Sequence, residues 1–404
     1  MLNNEGERNM KMAIQKQLNN LSLIIGIVVL CAAVFGNEVS EAATYYYVAT
    51  TGSNYNPGTP AAPFRTIDFA YGKAWPGDTI IVRPGTYTGS GTGYGFSFGK
   101  SGTASLPITI KSETKWGAVL DDRNNQNHTS AAIILYGSYN ILDGFEITNA
   151  YHDGMRVEGR NNKIINNHIH DNGKYLATVG GGSGIYSETY ASGNEYMRNY
   201  IHNNGNNSGN ANAGHGMYLC GDNESAANNI VTFNRAFGLQ IAGYATVSNL
   251  RVYNNVFAQN GLSGIILWKA LAQVDIKNNI FYKNGRSGIE TYYATGTATY
   301  TANMSYGNSL RDTQFAGEGS TISVAQGTNY PNTNPLFTNA GAGDYTLQAG
   351  SPALNVGLTL DTPFNLDFLG VLRPHGAGYD IGAYEFVELV QEPAPPSNLT
   401  LISP

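Results

Sequence analysis

The sequence predicts an all-β chain wound as a parallel β-solenoid, and three observations carry that prediction. One phrase recurs six times: Asp153-Gly-Met-Arg156, Ser183-Gly-Ile-Tyr186, His215-Gly-Met-Tyr218, Phe237-Gly-Leu-Gln240, Ser263-Gly-Ile-Ile266 and Ser287-Gly-Ile-Glu290. Its glycines lie 30, 32, 22, 26 and 24 residues apart, the length of one solenoid coil. A second phrase runs in phase with it. Asn167, Asn199, Asn229, Asn255, Asn279 and Asn303 each precede a short alternating run such as His168-Ile-His170 or Ile280-Phe-Tyr282. Composition agrees: 49 glycines, 27 tyrosines and only 13% charged residues suit a turn-rich β protein.

The elements follow in chain order. Lys11 and Lys16 precede an uncharged run from Leu21 to Gly36, and small residues follow at Ser40, Ala42 and Ala43, the layout of a secretory signal over residues 1–43. The run is short for a membrane span, so no span is expected after its removal. Tyr45 to Thr50 alternates as a strand, Thr66 to Ala74 suits a short amphipathic helix capping the solenoid's open end, and Asp78 to Val82 returns to strand. The repeats then give runs too short for helix and of period two, at least two strands per coil. Such strands pair with the coils above and below at a spacing of about 4.8 Å. Asparagine and glycine are expected at the corners because both tolerate a left-handed backbone. One domain is expected over 44–387, and Glu392-Pro-Ala-Pro-Pro-Ser397 marks 388–404 as a proline-rich linker or tail.

Residues 1–43 carry three basic and four acidic side chains, so the remaining chain has 20 basic and 25 acidic residues, a formal charge of −5. That balance gives no support to nucleic-acid binding. Cys220 becomes the only cysteine, which excludes a disulfide within the chain and reads as a small, semi-buried filler rather than a catalytic thiol.

Both ends of the domain carry motifs of a known group. Tyr47-Val-Ala-Thr-Thr-Gly-Ser53, Pro63-Phe-Arg-Thr-Ile67 and Pro76-Gly-Asp-Thr-Ile-Ile-Val82 resemble the opening segment of secreted pectate-lyase-like proteins. Asn334-Pro-Leu-Phe337, Ser351-Pro-Ala-Leu354 and Asp380-Ile-Gly-Ala-Tyr-Glu385 look like the closing segment of many bacterial members. The resemblance implies a right-handed parallel β-helix, a monomer exported from the cell, and a polysaccharide partner. It specifies architecture better than chemistry, since the group holds lyases, hydrolases, epimerases and non-catalytic surface proteins.

Alternation places candidate chemistry on one face. The residue after each repeat glycine is apolar and points inward, which turns the next residue outward, and the one two further on outward again. The first outward column reads Arg156, Tyr186, Tyr218, Gln240, Ile266, Glu290, and the second reads Glu158, Glu188, Cys220, Ala242, Trp268, Tyr292, with Lys269 at the edge. The two longest steps enter this face through Asp171–Gly182 and Asn203–Gly214. A groove of rings and polar groups along a rod suits an extended sugar chain, with Tyr186, Glu188, Gln240, Trp268, Glu290 and Tyr292 as binding residues.

Eliminative cleavage of an acidic, uronate-containing glycan is the leading reading. Arg156 would neutralise the uronate, His215 or Lys269 would take the carbon-five proton, and Tyr218 would protonate the leaving oxygen. Epimerisation at carbon five would share that proton abstraction. A glycoside hydrolase is the enzymatic rival, because Glu158 and Glu188 stack in successive coils and could approach the separation of about 5 Å of a retaining pair. The same pair could bind Ca2+, which the resemblance implies for many lyases, although the aspartate clusters of the best-known calcium-dependent members are missing. A non-catalytic glycan-binding rod or adhesin would satisfy the groove alone. His170 and His202 share an outward column on another sheet, where they read as a surface ladder or two ligands of a metal without a third in that column.

Overall fold

A computed structural model describes residues 43–89, 94–123, 131–173, 182–205 and 212–388, together with scattered positions between 8 and 20. In the first compact unit, Met1–Ala43, those scattered residues are helical. The expected signal run Leu21–Gly36 and the tail after Glu388 lie outside the described residues.

The second unit is a β-solenoid with parallel pairing throughout its coils. Each full coil carries three strands, one more than the minimum read from the sequence. In one coil they are Met155–Val157, Lys163–Ile165 and His168–His170, and each pairs with its counterpart in the next coil. The first strand of every coil builds what we term the groove sheet. The second and third strands build two further sheets, of which the third holds nine strands from Gly85–Tyr87 to Met304–Tyr306. Two long strands, Ile265–Lys277 and Ser287–Thr301, run continuously through the corner between the groove sheet and the second sheet. Helix Ile67–Lys73 buries Ile67, Ala70 and Tyr71, and its first turn is capped by Thr66, whose Oγ1 accepts from the Phe69 amide. Tyr71 stacks edge-on against Phe98, 4.9 Å between centroids, covering the first coils as the sequence predicts.

The repeat glycines stack in one column, since the amide of each donates to the coil ahead: Gly154 to Ser183, Gly184 to His215, Gly216 to Phe237, Gly238 to Ser263 and Gly264 to Ser287. Their role is close packing and not a left-handed corner, which falls on other glycines, such as Gly173 and Gly205, and on asparagines. A Cβ on Gly154 would lie 2.6 Å from the Asn172 amide nitrogen and 2.7 Å from the Gly184 carbonyl oxygen, so close approach excludes any side chain. The left-handed turn falls instead on the residue before each ladder asparagine: Asn166, Arg198, Asn228, Asn254, Asn278 and Ala302 have φ of 54° to 58°.

The asparagine ladder is hydrogen-bonded at every step. The Asn199 Oδ1 accepts from the Asn167 backbone amide at 3.0 Å and from its Nδ2 at 3.2 Å, and the pattern repeats through Asn229, Asn255, Asn279 and Asn303. A second ladder the sequence reading did not single out runs Asn172, Asn204, Asn234, Asn260, Asn284 and Asn308. These buried amides need partners, and each finds them in the adjacent coils. The closing segment packs along the solenoid wall. Its buried Arg373 pairs with Glu385 at 2.9 Å, and Tyr345 reaches Thr232 at 2.7 Å.

Candidate active-site groove

The inward residues Met155, Ile185, Met217, Leu239, Ile265 and Ile289 are fully buried in the core. The register then sets Arg156 beside Tyr186, Tyr186 beside Tyr218, Tyr218 beside Gln240, Gln240 beside Ile266 and Ile266 beside Glu290, so the first outward column stands as read. Trp268 pairs with Tyr292 in the second.

This face holds a cavity of about 700 Å³ lined by His152, Asp153, Arg156, Tyr186, Glu188, His215, Tyr218, Gln240, Tyr244 and Trp268, among others. A neighbouring cavity of about 420 Å³ continues past Ile266, Arg286, Glu290 and Tyr292. Asn212, Gln240 and Trp268 line both, so the two form one groove along the coils. Of the two loops expected to border it, residues 174–181 and 206–211 lie outside the described residues, while Asn212, Ala213 and Gly214 line the larger cavity.

The candidate residues fall into distinct environments. His215 is buried, face to face with Phe237 at 5.5 Å and edge-on to Tyr218 at 5.6 Å. Its Nδ1 has no hydrogen-bond partner, and burial pulls the imidazole pKa down to about 4, partly offset by Asp153. His215 is therefore neutral near pH 7. Burial, reinforced by the Cys220 neighbour, pushes the Tyr218 phenol well above its ordinary value, so Tyr218 holds its proton. Cys220 is buried, and burial pushes its thiol up to about 12, which agrees with a filler and not a nucleophile.

Arg156 is not a free cation. Its Nε lies 3.1 Å from Glu158, an Nη bonds Glu188, and the guanidinium stands 5.6 Å from the Tyr186 ring centre. Glu158 also accepts from the Tyr190 hydroxyl. The two glutamates thus clamp a guanidinium where a calcium ion or a sugar carbon would have to sit, and the pair does not fit either the metal site or the open carboxylate pair. Arg286 is likewise engaged, 3.4 Å from Glu290, whose acid burial pushes up and whose Oε2 has no partner.

Lys269 is exposed and is not among the residues lining either cavity. Its φ of 67° marks a bulge in strand Ile265–Lys277, where the register shifts between Trp268 and Ala270. The ammonium sits 5.1 Å from the Trp268 ring and 5.4 Å from Tyr244, and no ion pair among the described residues involves it.

Column reading missed His152, Asp153, Tyr244 and Arg286. Asp153 was visible as the first letter of the first phrase: its Oδ1 accepts from the Ser183 amide at 2.8 Å, and its Oδ2 meets His152 Nδ1 at 2.7 Å. Tyr244 and Arg286 sit in turns, outside the alternation that made the columns legible.

Comparison with known proteins adds the lineage. A family described as "Pel9A-like, right handed beta helix region" matches residues 46–237, and "Right handed beta helix region" matches residues 206–359. Pectate lyase L of Dickeya chrysanthemi is 32% identical over 133 residues, covering 31% of this chain and 31% of that protein. The uncharacterized protein YwoF of Bacillus subtilis is 30% identical over 137 residues, 31% of this chain and 28% of its own. These matches span less than a third of either curated relative. Among solved structures, pectate lyase Pel9A superposes with a TM-score of 0.56 at 19% identity, covering 85% of this chain and 97% of that one. A rhamnogalacturonan lyase superposes at 0.55 and 18% identity, over 71% and 87%. At such identities the superpositions speak for the fold. No helix among the described residues is long and apolar enough to cross a membrane. The chain is a right-handed parallel β-helix related to the pectate-lyase-like proteins of bacteria.

Proposed function

We propose that the protein is an exported polysaccharide lyase that cleaves an acidic, uronate-containing glycan by β-elimination. The observation that carries this reading is the His215–Tyr218 pair lining an aromatic groove: a neutral imidazole edge-on to a phenol that keeps its proton. The partial matches to pectate lyases support the substrate class.

In the proposed step the His215 imidazole, which lines the cavity, takes the proton on carbon five, and the C–H electron pair forms the double bond between carbons four and five. The bond from carbon four to the glycosidic oxygen breaks, and that oxygen takes the Tyr218 proton. Proton return from His215 to Tyr218, directly or through water, resets the pair. Rings of Tyr186, Tyr244 and Trp268 stack on sugar faces, while Gln240 and Glu290 meet hydroxyls. Arg156 would have to leave Glu188 to neutralise a uronate. Lys269 lies outside the cavity wall but against its rims at Tyr244 and Trp268, with no ion pair among the described residues to break, and is the candidate for that charge rather than the base. Ca2+ enters no step, because the Glu158–Glu188 pair already holds Arg156.

The test is incubation with pectate, alginate, glycosaminoglycans and neutral glycans. Ultraviolet-absorbing unsaturated product is expected from an acidic glycan, reduced by about tenfold or more in His215→Ala and Tyr218→Phe and unchanged in Tyr282→Phe on the third sheet. Reducing ends without that absorbance would replace the proposal with hydrolysis. Retention of a glycan without any product would favour a binding rod.

A further inference from the structure

We propose that His168, His170 and His202, on the third sheet, form a binding site for one divalent transition metal ion of the zinc class. Alternation turns His168 and His170 outward from one strand, and parallel pairing sets His170 beside His202 of the next coil. The column His170–His202 lacks a third ligand, but the neighbouring column of the same strand supplies it. One ring nitrogen from each of the three lies within 4.8 Å of the others.

The polar contacts inside the cluster gather ligand atoms at one point. His170 Nδ1 lies 2.8 Å from the Asp171 carboxylate, and its Nε2 lies 3.2 Å from Glu146 Oε1. When Nδ1 donates to Asp171, the Nε2 lone pair faces a carboxylate oxygen. In that tautomer a metal ion between the two would be ligated by both. His168 Nε2 and His202 Nε2 are 2.7 Å apart, an approach that two protonated rings would not tolerate and that leaves at least one lone pair in the cluster. Tetrahedral zinc, with nitrogen ligands at about 2.0–2.1 Å, holds its ligand atoms about 3.4 Å apart, so a slight opening of this pair admits the ion.

The surroundings hold the rings in place. Tyr200 stacks on His168 at 5.2 Å with a 3° tilt, Trp116 lies 4.7 Å from it, and His170 stacks on His202 at 5.0 Å. Glu146 is the strand neighbour of His168 in the preceding coil and offers a fourth, oxygen ligand. Imidazole nitrogens with one carboxylate suit zinc, nickel or copper(II) rather than calcium. An ion here would clip three successive coils together and stabilise the solenoid by mass action.

The test uses the full chain without an affinity tag, stripped by chelator. Zn2+ is titrated by calorimetry and by thermal melting, and Co2+ by its visible absorption. One saturable equivalent, a raised melting temperature and a cobalt spectrum of four-coordinate type are expected. His202→Asn and His168→Phe should weaken zinc binding at least about tenfold, and the phenyl of the latter keeps the stack between Trp116 and Tyr200. Circular dichroism confirms that both fold, and Tyr218→Phe in the groove should bind zinc as the parent does. Absence of saturable binding in the parent, or parent-like affinity in both folded histidine variants, would overturn the site.

Discussion

Glu224→Gln should abolish a loss of stability that the parent suffers as pH rises from mildly acidic to alkaline. On the second sheet a third buried series runs Asn140, Asn162, Asn194, with the Asn140 amide donating to Asn162 at 2.8 Å and the Asn162 amide to Asn194 at 2.9 Å. In the next coil Glu224 takes the place of asparagine. Its side chain is fully buried, and Oε1 accepts from Asn194 at 2.9 Å, Ser187 at 2.6 Å and Tyr196 at 3.1 Å, while Oε2 has no partner. Burial outweighs those bonds and raises the acid from 4.5 to about 7.

The sign follows from which state binds the proton. Between pH 4.5 and 7 the folded protein holds a proton on Glu224 that the unfolded chain has released, so stability is full below about 4.5 and is lost as pH rises through about 7. The shift corresponds to about 3 kcal/mol, at about 1.4 kcal/mol per pH unit. Glutamine keeps the accepting oxygen and cannot ionise. Its amide hydrogens add a cost that does not vary with pH, so the slope is diagnostic rather than the absolute stability. Urea unfolding of parent and variant between pH 5 and pH 9 should show the parent losing about 3 kcal/mol relative to the variant. Parallel profiles would refute the assignment of a proton to Glu224 in the folded state.

Three further outcomes follow from the same structure. Gly216→Ala should cost about 3 kcal/mol or lower the yield of folded protein in a melting assay, because its Cβ would meet Val231 and lie 2.7 Å from the Asn234 amide and the Gly238 carbonyl oxygen. In the parent, Ca2+ should not shift the melting temperature through the groove glutamates, whereas Arg156→Ala frees Glu158 and Glu188 and should make melting calcium-dependent; a calcium response in the parent that is lost in Glu188→Gln would contradict the clamp. On the cognate glycan, the acidic limb of kcat/KM should have its midpoint near pH 4, where His215 gains its proton, and a limb near the ordinary histidine value of 6.5 would place the base elsewhere.

The interior of the solenoid was legible because it repeats. Every coil must offer an inward apolar residue, a glycine that tolerates close backbone approach and an amide that bonds to the next coil, so Met155 to Ile289 and Asn167 to Asn303 announce themselves at fixed offsets. The second strand of each coil was less visible. Lys163–Ile165 and Ser225–Ala227 are three residues long and share no fixed letter. The residue that takes the left-handed turn was not singled out for a related reason: the recurring asparagine carries the ladder, while the residue before it, asparagine in four coils but Arg198 and Ala302 in two, takes the backbone conformation.

Chemistry on the outer face obeys no such repeat, and this explains which functional readings changed. Columns correctly brought Arg156, Tyr186 and Tyr218 together, but adjacency cannot reveal that Glu158 and Glu188 both turn onto Arg156 instead of facing substrate. Nor can it reveal that a one-residue bulge lifts Lys269 out of the cavity wall and onto Trp268. The first depends on where long side chains turn, within a coil to Glu158 and across to Glu188, and the second on a backbone bulge, neither of which the two-residue period specifies. His215 shows the converse. Its strand position alone left it a corner hydrogen-bonder or a base, and what the sequence could not show is that it is buried between the rings of Phe237 and Tyr218 with no partner on Nδ1. In a solenoid the core is written along the chain, whereas the site is written across it, in the contacts that unequal coils make with one another.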